Sequence, residues 1–133
     1  MTAPSGTVRR LTYTRDGFAC VNCGSFDYLT FQHRAAVGMG GAGSKSVPVT
    51  PADGVTACNP CNTRFEGDLQ SRALANGWKL RRNRGGMLAA DIPYFDTSAG
   101  AWFLPDVTGH RFPVGELEAL GLLVAAGSIG RVA

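Results

Sequence analysis

Four cysteines in two close pairs are the residues whose spacing most clearly implies chemistry. Cys20 and Cys23 form one Cys-x-x-Cys pair, and Cys58 and Cys61 form a second pair after 34 intervening residues. Each pair can present two thiolates to one ion, and two pairs complete the tetrahedral coordination of a structural Zn²⁺. The spacing therefore predicts a Cys₄ zinc site, which has no open coordination position and serves the fold rather than catalysis.

Two other uses of these cysteines remain open from the spacing alone. A pair of disulfides needs an oxidising compartment, and the first residues, MTAPSGTVRR, contain no apolar run of the kind found in a secretory signal. A thioredoxin-like redox pair needs only one Cys-x-x-Cys and a surrounding βαβ pattern, which this chain lacks. We therefore expect reduced cysteines in a cytoplasmic protein.

Three further polar residues each have an ordinary structural explanation when taken alone. His33 ends a segment typical of a strand, where a histidine acts as a general base or simply bonds a backbone carbonyl. Asn62 follows the last cysteine at a helix start, a position where asparagine is favoured for capping. Asp53 lies in Ala-Asp-Gly, a common turn sequence. Taken singly, these residues do not indicate catalysis.

Positive charge is concentrated in the first part of the chain. The net charge of +3 divides into +6 over residues 1–84 (eleven Lys and Arg against five Asp and Glu) and −3 over residues 85–133 (two against five). Four cations within residues 79–84 partly alternate with apolar side chains, which favours a strand over 78–84 with one cationic face. Its cations are either phosphate contacts or a solvated surface. The candidate phosphate contacts are Arg34, Arg64, Lys79, Arg81, Arg82 and Arg84.

The elements that must position these residues can be read along the chain. Residues 28–33 alternate apolar and polar side chains and predict a strand, and residues 55–57 predict a second short strand or an extended run into the second cysteine pair. Clustered glycines and two prolines in residues 38–54 indicate a long loop between them. A periodic apolar face, with Pro60 at its first position, predicts a helix over 60–75.

The remainder of the chain predicts a smaller second region. Short aromatic segments at 92–95 and 101–104 predict a hairpin, and a helix is expected over 114–125 with Pro113 at its entry.

The length of 133 residues, with 44% apolar and 17% charged residues and no apolar run of about 20 residues, excludes disordered and membrane-spanning classes. We expect an α+β protein with a zinc-stapled module at 1–84 and an acidic extension at 85–133.

Together these motifs resemble the HNH endonuclease family in its zinc-stapled form, which is frequent in phage genomes. The resemblance covers roughly residues 13–70 and rests on the segments RDGFACVNCG (15–24), QHRAAVGMGG (32–41) and ACNPCNTRFEGD (57–68). It implies a small ββα-metal fold, similar to a treble clef, in which two strands and a helix bracket one divalent cation while zinc staples the frame.

The resemblance also implies roles for individual residues. His33 takes the position of the general base that activates water, and Asn62 takes that of a metal ligand on the helix. Asp53 falls on the middle position of the motif and would orient His33. The residue before the base is normally an Asp or His metal ligand, and here it is Gln32. The motif positions therefore supply no anionic ligand to the cation.

Two functions are compatible with this resemblance. The first is a DNA endonuclease that hydrolyses phosphodiester bonds with Mg²⁺, or with Mn²⁺ or Ni²⁺, at Gln32 and Asn62, with His33 as base. The second is a degenerate zinc module that binds DNA or a host protein without cleavage. The acidic residues 85–133 are a candidate interface for a host or phage protein. No membrane partner is expected, and the cytoplasm would be that of a bacterial host if a phage encodes the chain.

Overall fold

The computed structural model describes residues 3–35 and 47–130, so residues 38–46 of the predicted loop lie outside the described residues. The chain is a mixed α+β protein, as predicted. None of the helices in these two ranges is long and apolar enough to cross a lipid bilayer. The elements are α1 (Gly6–Arg15), β1 (Leu29–His33), β2 (Gly54–Cys58), α2 (Asn59–Arg64), α3 (Gln70–Ala75), β3 (Tyr94–Asp96), β4 (Ala101–Pro105), β5 (Arg111–Val114) and α4 (Glu116–Ala125), with single 3₁₀ turns at Pro51–Asp53 and Ala89–Asp91.

Helix α1 is defined by the signals at its two ends. The Ser5 side chain accepts a hydrogen bond from the Val8 amide at 3.1 Å, which caps the first turn. Gly17 takes the left-handed conformation (φ 70°) after the last turn, and the Phe18 amide then donates to the Tyr13 carbonyl at 2.8 Å. Because these local signals form the helix without a strong apolar stripe, hydrophobic periodicity does not predict it.

Strands β1 and β2 form an antiparallel hairpin whose two faces have different neighbours. The α1 face packs under helix α1, where Thr56 Oγ1 donates to the Thr12 carbonyl at 3.3 Å. The core face carries Val55, which is buried with Phe65 and Trp78. Since side chains alternate along a strand and opposed residues share a face, the register assigns each residue. The α1 face comprises Phe31, His33, Gly54 and Thr56, and the core face comprises Thr30, Gln32, Val55 and Ala57.

The prediction of a single helix over 60–75 is wrong. The chain forms two short helices, α2 and α3, separated by turns at residues 65–69. Gly67 lies in this interruption, and glycine costs about 1 kcal/mol relative to alanine inside a helix. The bend allows Phe65 to stack on Trp78 with 5.3 Å between ring centroids.

The predicted cationic strand over 78–84 is also wrong. Its sheet-like contact within the described ranges is one isolated bridge between Ala35 and Leu80. Gly85 and Gly86 follow with positive φ values of 66° and 80°, which turn the chain away from an extended course. The cations of this segment therefore lie on an irregular loop.

The C-terminal region contains the predicted hairpin and one additional strand. Strands β3 and β4 pair antiparallel, and β5 pairs antiparallel with the other edge of β4. Pro113, expected at the entry of a helix, lies instead in β5 opposite Phe103. An edge strand tolerates proline because the missing amide faces away from the ladder. Helix α4 consequently begins at Glu116 rather than at residue 114.

Two clusters of buried side chains cross the predicted boundary at residue 84. Tyr94, from the predicted extension, belongs to the first cluster, and Leu80, from the predicted module, belongs to the second. The first cluster comprises Cys20, Val21, Val55, Ala57, Cys58, Cys61, Phe65, Ala73, Trp78 and Tyr94. The second comprises Leu80, Ala89, Ile92, Trp102, Ala119, Leu123 and Ala126. Residues 1–84 and 85–133 thus share their hydrophobic cores.

Candidate metal centre and active site

The four cysteines converge on one point, as their spacing predicts. Their Sγ atoms all lie within 4.8 Å of one another, and the sulfurs of Cys23 and Cys58 are 3.7 Å apart. Tetrahedral Zn–S bonds of about 2.3 Å place neighbouring sulfurs about 3.8 Å apart, so the cluster fits that ion. All four cysteines are free thiols, and the separation is far longer than the roughly 2.05 Å of a disulfide. This cluster could therefore hold a metal ion.

Local backbone structure brings the two pairs together. The Gly24 amide donates to the Cys20 carbonyl at 2.9 Å, and Gly24 takes a positive φ of 79° that closes the first knuckle. Cys58 is the last residue of β2, and Cys61 lies in the first turn of α2, which Pro60 helps to start. The hairpin and α2 together thus carry one half of the metal centre.

Three of the four sulfur ligands lie in the protein interior. Cys20, Cys58 and Cys61 are buried, whereas Cys23 is exposed. Burial raises the pKa of the Cys58 and Cys61 thiols. Burial acts in the same direction on Cys23, but hydrogen bonds from the Ser25 amide and from neighbouring thiols outweigh it and lower the Cys23 pKa. Metal binding must therefore displace protons from buried sulfurs, which makes it dependent on pH.

Two residues beside the cysteines, Asn22 and Arg72, were not predicted from the sequence. Asn22 donates from Nδ2 to the Sγ atom of Cys61 at 3.3 Å. Arg72, on α3, donates from Nε to Asn22 Oδ1 at 2.8 Å. The available signal is the position of Asn22 inside the first Cys-x-x-Cys pair. Nothing in the sequence pattern indicates Arg72, because α3 reaches the knuckle only through tertiary packing.

Gln32 and Asn62, the predicted ligands of a catalytic cation, lie on one side of the hairpin. Asn62 Nδ2 donates to Thr30 Oγ1 at 2.8 Å, and Thr30 precedes Gln32 by two positions on the core face. Gln32 is buried, and its Nε2 donates to the Trp78 carbonyl at 3.2 Å. Both amides bond through nitrogen, and neither amide oxygen accepts a hydrogen bond from the described part of the chain.

His33 and Asp53, the predicted base and its orienting residue, lie at the end of the hairpin. His33 lies on the α1 face, where its ring contacts Phe31 edge-on with 5.0 Å between centroids. Asp53 immediately precedes Gly54, the residue paired with His33. The Asp53 carboxylate accepts from the Thr50 amide at 2.8 Å and caps its own turn. The structure therefore does not bring His33 and Asn62 to the same face.

The assignment of Arg34 as a phosphate contact is wrong. Its side chain is completely buried, and the partners of its guanidinium among the described residues are backbone carbonyls. Burial lowers the Arg34 pKa to about 9, which leaves the group protonated at neutral pH. The carbonyls belong to Ala52, Gly77, Ala89, Ile92 and Pro93, at 2.6–3.2 Å. Arg34 is therefore a buried clamp between the hairpin and the C-terminal region.

Most of the other predicted phosphate contacts already have partners. Arg64 pairs with Asp68 at 2.9 Å, and Lys79 pairs with Glu66. Arg81 Nε donates to the Gly127 carbonyl at 2.9 Å. Arg84 donates to the carbonyls of Met87 and Arg81 at 3.1 and 3.0 Å.

Three exposed arginines keep all their guanidinium donors unengaged by the described residues. Arg82 is the member of the predicted set in this condition, and Arg9 and Arg10 on α1 are the others. The α1 pair was not predicted from the sequence, because the cations at 79–84 are more densely clustered. The cations best able to meet a phosphate are thus on α1 and at Arg82.

Outside the four cysteines, residues 3–35 and 47–130 contain no group of three or more His, Cys, Asp and Glu side chains close enough to hold a metal ion.

Comparison of the chain with family models, with curated proteins and with solved structures found no significant match.

Proposed function

We propose that the chain is a DNA endonuclease of the HNH kind, with structural zinc at the four cysteines and a divalent cation beside the core face of the hairpin. The observation that carries the proposal is the link between strand and helix: Asn62, in the first turn of α2, donates to Thr30 at 2.8 Å on the face that carries Gln32. This β1–β2–α2 arrangement supports the ββα unit that the sequence resemblance implies.

The chemistry divides between the two amides and the histidine. When bound, a divalent cation supplies charge neutralisation on the scissile phosphate and on the leaving oxygen. Gln32 and Asn62 would hold it through their amide oxygens, since hard cations prefer oxygen ligands. His33, on the next position of β1, would take a proton from the attacking water. Gln32 and His33 occupy consecutive positions of β1, so one ligand of the cation and the base would come from the same strand end.

Plasmid cleavage tests this function. Purified protein is incubated with supercoiled plasmid in Mg²⁺, Mn²⁺, Ni²⁺ or EDTA. We expect metal-dependent nicking that falls by about 10²-fold or more in His33→Ala, because general-base catalysis contributes about 10²–10⁴-fold. The other histidine of the chain, His110, lies exposed in the turn between β4 and β5 and provides the control, so His110→Ala should nick like the parent. Equal nicking by His33→Ala and the parent would contradict the assignment.

A second function, a module that binds DNA without cutting it, is favoured by the fate of the carboxyl and amide groups. The Asp53 carboxylate caps its own turn, and the Gln32 amide nitrogen bonds the Trp78 carbonyl. The Asp53 carboxylate is therefore not committed to the cation. DNA retention in EDTA, combined with no nicking in any of the three metals, would identify this function in place of the nuclease.

A further inference from the structure

We propose that Asn22 and Arg72 form a hydrogen-bonded relay that holds the metal at the four-cysteine centre. The relay runs from the Arg72 guanidinium through the Asn22 amide to the Cys61 sulfur, over distances of 2.8 and 3.3 Å. The inference rests on the zinc of the proposed function but is independent of nuclease activity.

The direction of the relay follows from the donors that each group possesses. A guanidinium has five N–H donors and no acceptor, so the Asn22 oxygen must face Arg72. The amide nitrogen of Asn22 then necessarily faces the Cys61 sulfur and donates to it. Arg72 thus fixes which end of the amide meets the metal ligand. Without the arginine, the amide could rotate and present its oxygen to the sulfur.

The relay compensates the negative charge of the zinc centre. Zn²⁺ with four thiolates carries a net charge of −2, and Cys61 is only 5% exposed. A buried anion needs hydrogen-bond donors or an opposite charge in compensation. Asn22 supplies a donor directly, and Arg72 places a cation behind it while remaining exposed to solvent. Because Arg72 stays hydrated, the centre gains a compensating charge without a large desolvation cost.

Arg72 is itself held in position, which distinguishes the relay from a chance surface contact. Its guanidinium lies over the Trp78 ring, 5.7 Å from the centroid. The relay also joins three separate parts of the fold, namely the first knuckle, α2 and α3. Hydrogen bonds to metal ligands of this kind typically change metal affinity by about 10- to 100-fold when they are removed.

Competition with a chromophoric chelator measures the effect on the zinc-loaded full chain. We expect Asn22→Leu, which has a similar volume and no donor, to weaken zinc binding by about 10- to 100-fold. Arg72→Ala should weaken it less, and Arg72→Lys should restore part of the loss because lysine also donates. Asn83→Leu and Arg82→Ala are matched controls, since both parent residues are exposed and make no side-chain hydrogen bond within the described ranges.

The cobalt-substituted protein provides a readout that a merely structural role would not move. The sulfur-to-cobalt charge-transfer band reports the hydrogen bonds on the thiolates, so it should shift in Asn22→Leu and stay unchanged in Asn83→Leu. Parent-like zinc affinity together with a parent-like cobalt spectrum in Asn22→Leu would overturn the relay. A parent that binds zinc tightly but cuts no DNA would overturn the nuclease and leave the relay standing.

Discussion

Arg34 shows how one buried side chain can connect distant segments. Its guanidinium donates to carbonyls before β2, after α3 and around the 3₁₀ turn that precedes β3. Backbone carbonyls that are buried need donors, and one planar group here supplies several of them at once. The residue follows His33 in the chain, so the hairpin end is anchored directly behind the predicted base.

Replacing this arginine should be strongly destabilising. Arg34→Met keeps the length of the side chain but leaves buried carbonyls without donors, and we expect the free energy of unfolding to fall by about 3–5 kcal/mol. Urea unfolding of the zinc-loaded protein measures the change. Arg82→Met, at an exposed position, should stay within about 0.5 kcal/mol of the parent. An Arg34→Met protein as stable as the parent would refute the clamp.

The role of Arg34 could not be predicted from the sequence, whereas the role of the cysteines could. The four cysteines could be placed from the sequence because a metal centre imposes its own short spacing on the chain. Arg34 could not, because an arginine beside a predicted catalytic histidine is equally suited to phosphate contact and to burial. Only the five carbonyls that converge on it decide between these roles, and three of them lie more than 50 residues away in the chain.

At the scale of the elements, the turn after α3 lies very close to the segment that precedes β3. Gly77 takes a positive φ of 74°, and a Cβ atom there would overlap the Pro93 carbonyl. The Arg34 guanidinium also donates to the Gly77 carbonyl at 2.7 Å. The position therefore requires glycine for both its backbone conformation and its lack of a side chain.

Gly77→Ala should consequently destabilise the protein by about 2 kcal/mol or more, through left-handed strain and steric overlap. Gly121 lies inside α4 with open space around it, and its φ is not in the left-handed region. Gly121→Ala should therefore be neutral or should stabilise the protein by up to about 1 kcal/mol. Thermal unfolding of the two variants and the parent tests both signs. Equal melting temperatures for the two variants would contradict this account.

The elements divide into those with strong local signals and those set by packing. Strand β1 was predictable from its alternating side chains, β2 from its position before the second cysteine pair, and β3 and β4 from short aromatic segments joined through a turn. The interruption between α2 and α3 was not, because Phe65 and Leu69 continue a helical period while the core requires a bend. Strand β5 was hidden by Pro113, which is common at helix starts and also tolerated at a sheet edge.

At the scale of the whole molecule, the distribution of unengaged cations predicts where DNA would bind under the proposed function. Helix α1 covers the face of the hairpin that carries His33, and its first turns contain Arg9 and Arg10 but no acidic residue. The N-terminal half of a helix favours negative charge, so these two cations do not serve the helix itself. A polyanion that lies along α1 would compensate them.

Salt-dependent DNA retention tests this surface. Arg9→Ala/Arg10→Ala should reduce the slope of log affinity against log salt by about 1.8, at about 0.9 for each lost phosphate contact. Arg64→Ala/Asp68→Ala changes the same number of residues but removes a self-contained ion pair, so its slope should match that of the parent. An unchanged slope in the α1 variant would exclude α1 as the binding surface.

The shared cores predict that residues 1–84 cannot fold on their own. Truncation after Arg84 removes the carbonyls of Ala89, Ile92 and Pro93 from Arg34 and takes Tyr94 out of the first core cluster. We expect the truncated chain to lack a cooperative thermal transition even with saturating zinc, as measured by circular dichroism. A cooperative transition in that chain would instead support an independent module at 1–84.

The hydrophobic cores that residues 1–84 and 85–133 share limit how the sequence can evolve by recombination. Recombination near residue 84 would join residues 1–84, which include Arg34, to a C-terminal segment from another protein. That segment would have to place backbone carbonyls where those of Ala89, Ile92 and Pro93 accept hydrogen bonds from Arg34. Few segments would meet that requirement. We therefore expect the two parts to be inherited as one unit, so that new specificities arise by substitution on exposed surfaces rather than by exchange of tails.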